Sequence, residues 1–144
     1  MSQPRVRMDH ALIAFQENLE SISPKEWLVA HTSFMLPLHK YRGEAYLLED
    51  RLLFKGYHKD THKPYALTIP FSSIIEVYQG FDDVYKRRSD RGLGLQSAPL
   101  RITYHENNIQ RRLYAWIGFK RLSRTSKNRA WSNALTETLR RGKQ

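Results

Sequence analysis

The spacing of apolar positions divides the chain into a helical start, a long run of strand-like segments and a helical end. Over residues 9–22, Leu12, Phe15, Leu19 and Ile22 recur at i, i+3, i+7 and i+10, with Gln16, Glu17, Asn18 and Glu20 mostly elsewhere, which predicts a helix that Asp9 would cap. "SPKEW" follows, with Ser23, Pro24 and Glu26 in capping-box order, predicting a short helical turn leading to Trp27. From residue 28 the pattern turns strand-like. "WLVAHTSFMLPLHK" is apolar and partly β-branched, and "EAYLLE" and "RLLFKGY" flank a tight turn at Glu49-Asp50. In "YALTIPF", Tyr65, Leu67, Ile69 and Phe71 alternate with Ala66, Thr68 and Pro70, so Pro70 belongs at a bend or strand end. "SIIEVYQG" reads as a further short strand.

The clearest hairpin is "PLRITYHENNIQRRLYAWIGF", residues 99–119. Asparagine tolerates the positive φ that a two-residue turn requires, so Asn107-Asn108 sets the register. Thr103 then faces Arg112, Ile102 faces Leu113 and Arg101 faces Tyr114. Leu100, Ile102, Leu113 and Ala115 fall on an apolar face, and Arg101, Thr103, His105, Gln110, Arg112 and Tyr114 on a polar one. The chain closes with a helix over about 125–141, in which Trp131, Leu135 and Leu139 repeat at i, i+4, i+8. Gly142 stands where a helix stops, and Arg140 and Arg141 where its dipole favours cations.

The order of strands followed by an amphipathic helix resembles the pleckstrin-homology-like superfamily, and specific residues resemble its GRAM-type branch. "GEAYLLEDRLLF" supplies Gly43, Tyr46, Leu47, Arg51, Leu52 and Phe54 of a Gly–strand–turn–Arg-Leu-x-Phe pattern, with Leu48 where the family usually has Thr. "TIPFSSIIEV" supplies Ile69, Pro70, Ile74 and Val77 of the next segment. The likeness covers residues 28–141 or so. It implies a mainly β fold with α: a seven-stranded antiparallel PH-like sandwich or barrel capped by a C-terminal helix, over residues 28–144; residues 1–27, by their own pattern, read as an N-terminal helical extension. It also implies a non-catalytic module that docks on anionic lipid headgroups or on proteins. The family's basic docking positions fall here on Lys40 and Arg42, and on Lys59 and Lys63.

Charge adds a direction. Net charge is +10, yet residues 1–80 hold nine Lys/Arg against nine Asp/Glu, and residues 81–144 hold fifteen against five. The excess begins at "YKRRSDRGLGLQ", residues 85–96, a basic loop between two strands, whose Lys86, Arg87, Arg88 and Arg91 suit phosphates or carboxylates. Gly92 and Gly94 let backbone approach an anion. The bland alternative is a solvated loop whose charge only keeps the protein dissolved. Arg101, Arg112 and Tyr114, with Trp116 beyond, offer a second face where cations and aromatics would bind nucleic acid, unless the rings pack inside.

Other chemistry is thin. The chain has no cysteine, so disulfides and thiolate sites are excluded. His58 and His62 flank Asp60 at a spacing that unites two histidines only on a helix, and this stretch reads as a loop, so no metal site is expected. Asp82 and Asp83 sit beside Lys86 and Arg87, more an ion-pair arrangement than an acid–base pair. No nucleophile elbow or phosphate loop is present. The reading is a non-enzymatic protein without cofactor or transmembrane segment, cytoplasmic or peripheral at a membrane. Its partner is an acidic lipid surface or acidic protein, the alternatives being nucleic acid or a structural role in an oligomer.

Overall fold

The computed structural model describes residues 7–20, 39–80, 98–120 and 125–142. Seven antiparallel strands form one curled, half-barrel sheet: β1 (Arg7–Phe15), β2 (Tyr41–Leu47), β3 (Arg51–His58), β4 (Pro64–Pro70), β5 (Ile74–Gln79), β6 (Leu100–Glu106) and β7 (Ile109–Ile117). Their order across the sheet is β4-β3-β2-β1-β7-β6-β5. A five-residue helix, α1 (Gln16–Glu20), follows β1, and α2 (Asn128–Gly142) ends the fold.

The helix expected over residues 9–22, with its Asp9 cap, is corrected: residues 7–15 are the central strand, paired to β2 on one side and to β7 on the other. Ala11, Ile13 and Phe15 alternate into the core, a period of two that the i, i+3, i+7 series masked. Ala14 is buried on the other side, because a central strand can be covered on both faces. The first strand of the half-barrel therefore comes from the segment assigned to a helical extension. The turn at residues 23–27 and the strand begun at residue 28 lie outside the described residues.

Elsewhere local pattern and structure agree. Leu48 N–H donates to Arg51 O at 3.0 Å, closing the tight turn around Glu49-Asp50. Leu67 and Ile69 face inward from β4, Ala66 and Thr68 face outward, and Pro70 ends the strand. Asn107 and Asn108 take φ of 50° and 66°, and the β6–β7 register pairs Thr103 with Arg112, Ile102 with Leu113 and Arg101 with Tyr114. Only the facing changes. Thr103 and Tyr114 are 4% and 1% exposed, so the presumed polar face of this hairpin is also covered along its inner half.

Gly43 and Gly56 are cross-strand partners on β2 and β3. A Cβ on Gly43 would lie 2.1 Å from Lys55 O and 2.5 Å from the Gly56 Cα, so the two backbones approach where no side chain fits. Gly43→Ala is expected to destabilise by about 1–3 kcal/mol through overpacking. Lys55→Ala on the exposed face of the same ladder should stay within about 0.5 kcal/mol. Urea melts of the two variants check this; equal midpoints would contradict it.

The helix α2 closes one end of the half-barrel. Trp131 and Leu135 are fully buried against the sheet, and Leu139 is half-buried. Asp9, at the start of β1, accepts from Trp131 Nε1 at 2.7 Å and from Lys127 Nζ at 2.9 Å. Burial pushes its carboxyl upward, but those two hydrogen bonds and the charges of Lys127 and Arg7 outweigh burial and hold it below its ordinary 3.8.

Candidate anion-binding site at the β3–β4 turn

The end of the sheet away from α2 gathers the start of β2, the β3–β4 turn, the end of β1 and the β6–β7 hairpin. The last pairs of the β2–β3 ladder are Arg42 with Tyr57 and Tyr41 with His58, and just beyond them Lys59 N–H donates to Lys40 O at 2.9 Å. Two segments far apart in the chain's docking pattern, 39–42 and 59–63, are thereby held side by side. Their cations are Lys40, Arg42, Lys59 and Lys63, and the one carboxylate on the turn is Asp60.

The turn is fixed by its own backbone and by an imidazole. His58 N–H donates to Lys63 O at 2.9 Å, and His62 N–H donates to His58 O at 2.8 Å. His62 takes a left-handed φ of 62°, a region open mainly to Gly and Asn but visited by His. His58 Nδ1 accepts from the N–H groups of Asp60 and Thr61 at 3.2 and 3.3 Å, doing the work an Asp or Asn oxygen does in an Asx turn. Lys63 N–H donates to Thr61 Oγ1 at 3.3 Å. The rings brace this arrangement. His62 stacks on Tyr57 with centroids 5.8 Å apart, the His58 ring meets Tyr41 edge-on at 5.4 Å, and Tyr41 stacks on Tyr65 at 4.1 Å. Burial raises the Tyr65 phenol to about 12, so it remains a neutral hydroxyl.

Arg42 Nε donates to Nε2 of the buried His39 at 2.8 Å. His39 is thus a neutral acceptor in this arrangement, and the guanidinium is oriented by it while keeping its Nη groups. Neither histidine contact could be read from spacing, because each depends on which ring nitrogen a neighbouring segment meets. His58 and His62 attracted notice only as a zinc spacing. Among the described residues, no group of three or more His, Cys, Asp or Glu is placed to hold a metal.

The second candidate face is differently disposed. Arg101 Nη2 donates to Glu76 Oε1 at 2.6 Å, and its guanidinium lies 4.7 Å from the Tyr78 ring centroid, a cation–π contact. Arg112 is half-buried and Tyr114 buried, so the Tyr114 ring is not offered to a stacking base. Trp116 is buried too, edge-on to Phe119 at 5.8 Å. Arg111, which the sequence did not single out, lies over the Phe15 ring at 4.0 Å between Glu17 at 2.5 Å and Glu106 at 3.3 Å. Burial works against its charge, and hydrogen bonding to Glu17 with the other nearby anionic groups more than restores it. The four cations of the loop, Lys86, Arg87, Arg88 and Arg91, lie outside the described residues, as do Asp82 and Asp83.

No protein-family model matches the chain, and no curated protein matches it at a significant level. Among the described residues, no helix is long and apolar enough to cross a membrane.

Proposed function

We propose that this chain is a non-enzymatic, pleckstrin-homology-like docking module that binds an acidic lipid surface through the end bearing the β3–β4 turn. The observation that carries the reading is the convergence of Lys40, Arg42, Lys59 and Lys63 from two separate segments around one hydrogen-bonded turn. A strand order of β4-β3-β2-β1-β7-β6-β5 with a closing C-terminal helix supports the fold side of the resemblance. The exposed Tyr57, stacked with His62 beside these cations, adds an amphipathic ring suited to a headgroup boundary. The basic loop of Lys86, Arg87, Arg88 and Arg91 is a separate candidate patch, joined to the sheet through Gly80 and Pro99 at the α2 end rather than at the end bearing this turn. Nucleic acid is the weaker reading, because Arg101 is engaged by Glu76 and the Tyr114 ring is buried.

Binding to vesicles of phosphatidylcholine containing phosphatidylglycerol tests this. Each cation near an anionic surface contributes roughly 1 kcal/mol. Changing Lys40, Arg42, Lys59 and Lys63 together to Ser should therefore cost several kcal/mol of affinity, and raising salt well above about 0.15 M should weaken the wild-type protein as well. A loop variant with Lys86, Arg87, Arg88 and Arg91 changed to Ser, measured in parallel, apportions the two patches. Absence of vesicle binding at low salt overturns the proposal. Tight oligonucleotide binding that is lost on changing Arg112 and kept in the turn variant would favour nucleic acid instead.

A further inference from the structure

We infer that acidification turns the β3–β4 turn into a phosphate-binding cradle, with His58 as the switch; this rests on the docking reading above and supplies its regulation. In the present arrangement His58 Nδ1 is an acceptor, shared by the N–H groups of Asp60 and Thr61. Its lone pair can serve them only while that nitrogen carries no proton. Histidine is the side chain whose charge changes between about pH 5 and 8. A proton added at Nδ1 ends both hydrogen bonds at once. The ring must then turn away from them, and the Asp60 and Thr61 amides, which converge on the position Nδ1 held, are left open to an anionic oxygen.

Two successive amides so aimed form an anion-binding concavity of the kind that backbone N–H groups make around phosphate oxygens, with the imidazolium charge beside it. The surrounding charges favour such an occupant. The turn carries Lys59, His62 and Lys63 as well as Asp60, its single carboxylate. From the start of β2 and the residue before it come Lys40, whose carbonyl accepts from Lys59, the Tyr41 ring edge-on to His58, and Arg42. From β3 comes Tyr57, stacked on His62, and from β4 Tyr65, stacked on Tyr41. Asp60 is the internal competitor for the protonated ring, so its removal to Asn should strengthen anion binding at low pH.

The test uses the full chain and the same phosphatidylglycerol vesicles, whose phosphodiester charge is constant over the range compared. Affinity should rise about tenfold between about pH 7.5 and about pH 5.5, the interval in which histidine gains its charge. His58→Asn supplies an oxygen acceptor near the position of Nδ1 and cannot be protonated; the ratio of its affinities at the two pH values should be near one, whatever its affinity at the higher. A parallel titration with soluble glycerophosphoglycerol separates sources. A His58-dependent rise there too places recognition on the phosphate itself, and a rise on vesicles alone places it on the lipid surface; either supports the switch. Wild-type binding that is equal at both pH values overturns the switch and leaves the docking reading standing, as does a rise that His58→Asn retains. Absence of vesicle binding at both pH values overturns the two together. Nitrogen-15 shifts of the imidazoles give a reading free of ligand: neutral His58 should be protonated at Nε2, and a neutral form protonated at Nδ1 would overturn the switch.

Discussion

Replacing Trp131 by alanine is expected to cost about 3–5 kcal/mol, the range for emptying a large aromatic site in a core. The ring is fully buried at the seam between α2 and the half-barrel, so little of the void can be refilled by surface side chains. The loss is more than volume. Trp131 Nε1 donates to Asp9 Oδ2, and without it the partly buried carboxylate keeps only Lys127 and the more distant Arg7. Trp131→Phe should therefore fall between the two, keeping most of the packing and losing the hydrogen bond. Thermal melts decide it: at roughly 2–4 °C per kcal/mol for a chain of this size, the alanine variant should melt about 10 °C lower. A melting temperature within 2 °C or so of wild type would mean that α2 is not seated as described.

Asn128→Ala should be nearly as damaging although it removes only a small amide. Asn128 is fully buried at the start of α2. Its Oδ1 accepts from Ile117 N–H at 2.9 Å, and its Nδ2 donates to Ala98 O at 2.9 Å and Ala115 O at 3.1 Å. One side chain thus joins the end of β7, the segment entering β6 and the first turn of the helix. Alanine strands these backbone groups in a dry environment, at about 1–3 kcal/mol for each that water cannot reach, so a total of about 3 kcal/mol or more is expected. Asn133→Ala, on the exposed side of the same helix, should change stability by less than about 0.5 kcal/mol. Urea denaturation of both variants checks the contrast; similar midpoints would show that the buried amide is not the joint it is taken to be.

Hydrophobic periodicity located β2, β3, β4 and α2 to within a few residues, because each of these has one dominant buried face. Leu67 and Ile69 alternate with exposed neighbours, and Trp131 and Leu135 stand one helical turn apart. Asn107-Asn108 fixed a register because two consecutive residues at positive φ permit only one hairpin geometry. The same reasoning failed at residues 7–15. There Leu12 and Phe15 fit a helical period as well as Ala11, Ile13 and Phe15 fit a strand. A central strand covered on both faces gives no clean alternation to decide between them. Burial of Thr103 and Tyr114 was equally hidden, since a polar or amphipathic residue on the second face of a sheet does not announce what covers it.

Net charge, the absence of cysteine and the identity of the basic residues were settled by the sequence alone, because they are sums over residues and need no geometry. Which cations stand together was decided only by tertiary structure. Lys40 and Arg42 meet Lys59 and Lys63 because the β2–β3 ladder runs out at Tyr41 and His58 and the backbone of Lys59 then binds that of Lys40. Arg101 and Arg111, as basic by sequence as any of these, are instead drawn against Glu76, Glu17 and Glu106, carboxylates that lie 25, 94 and 5 residues away. The strength of a charge pair is set by separation in space and by local burial, and neither quantity is a function of distance along the chain.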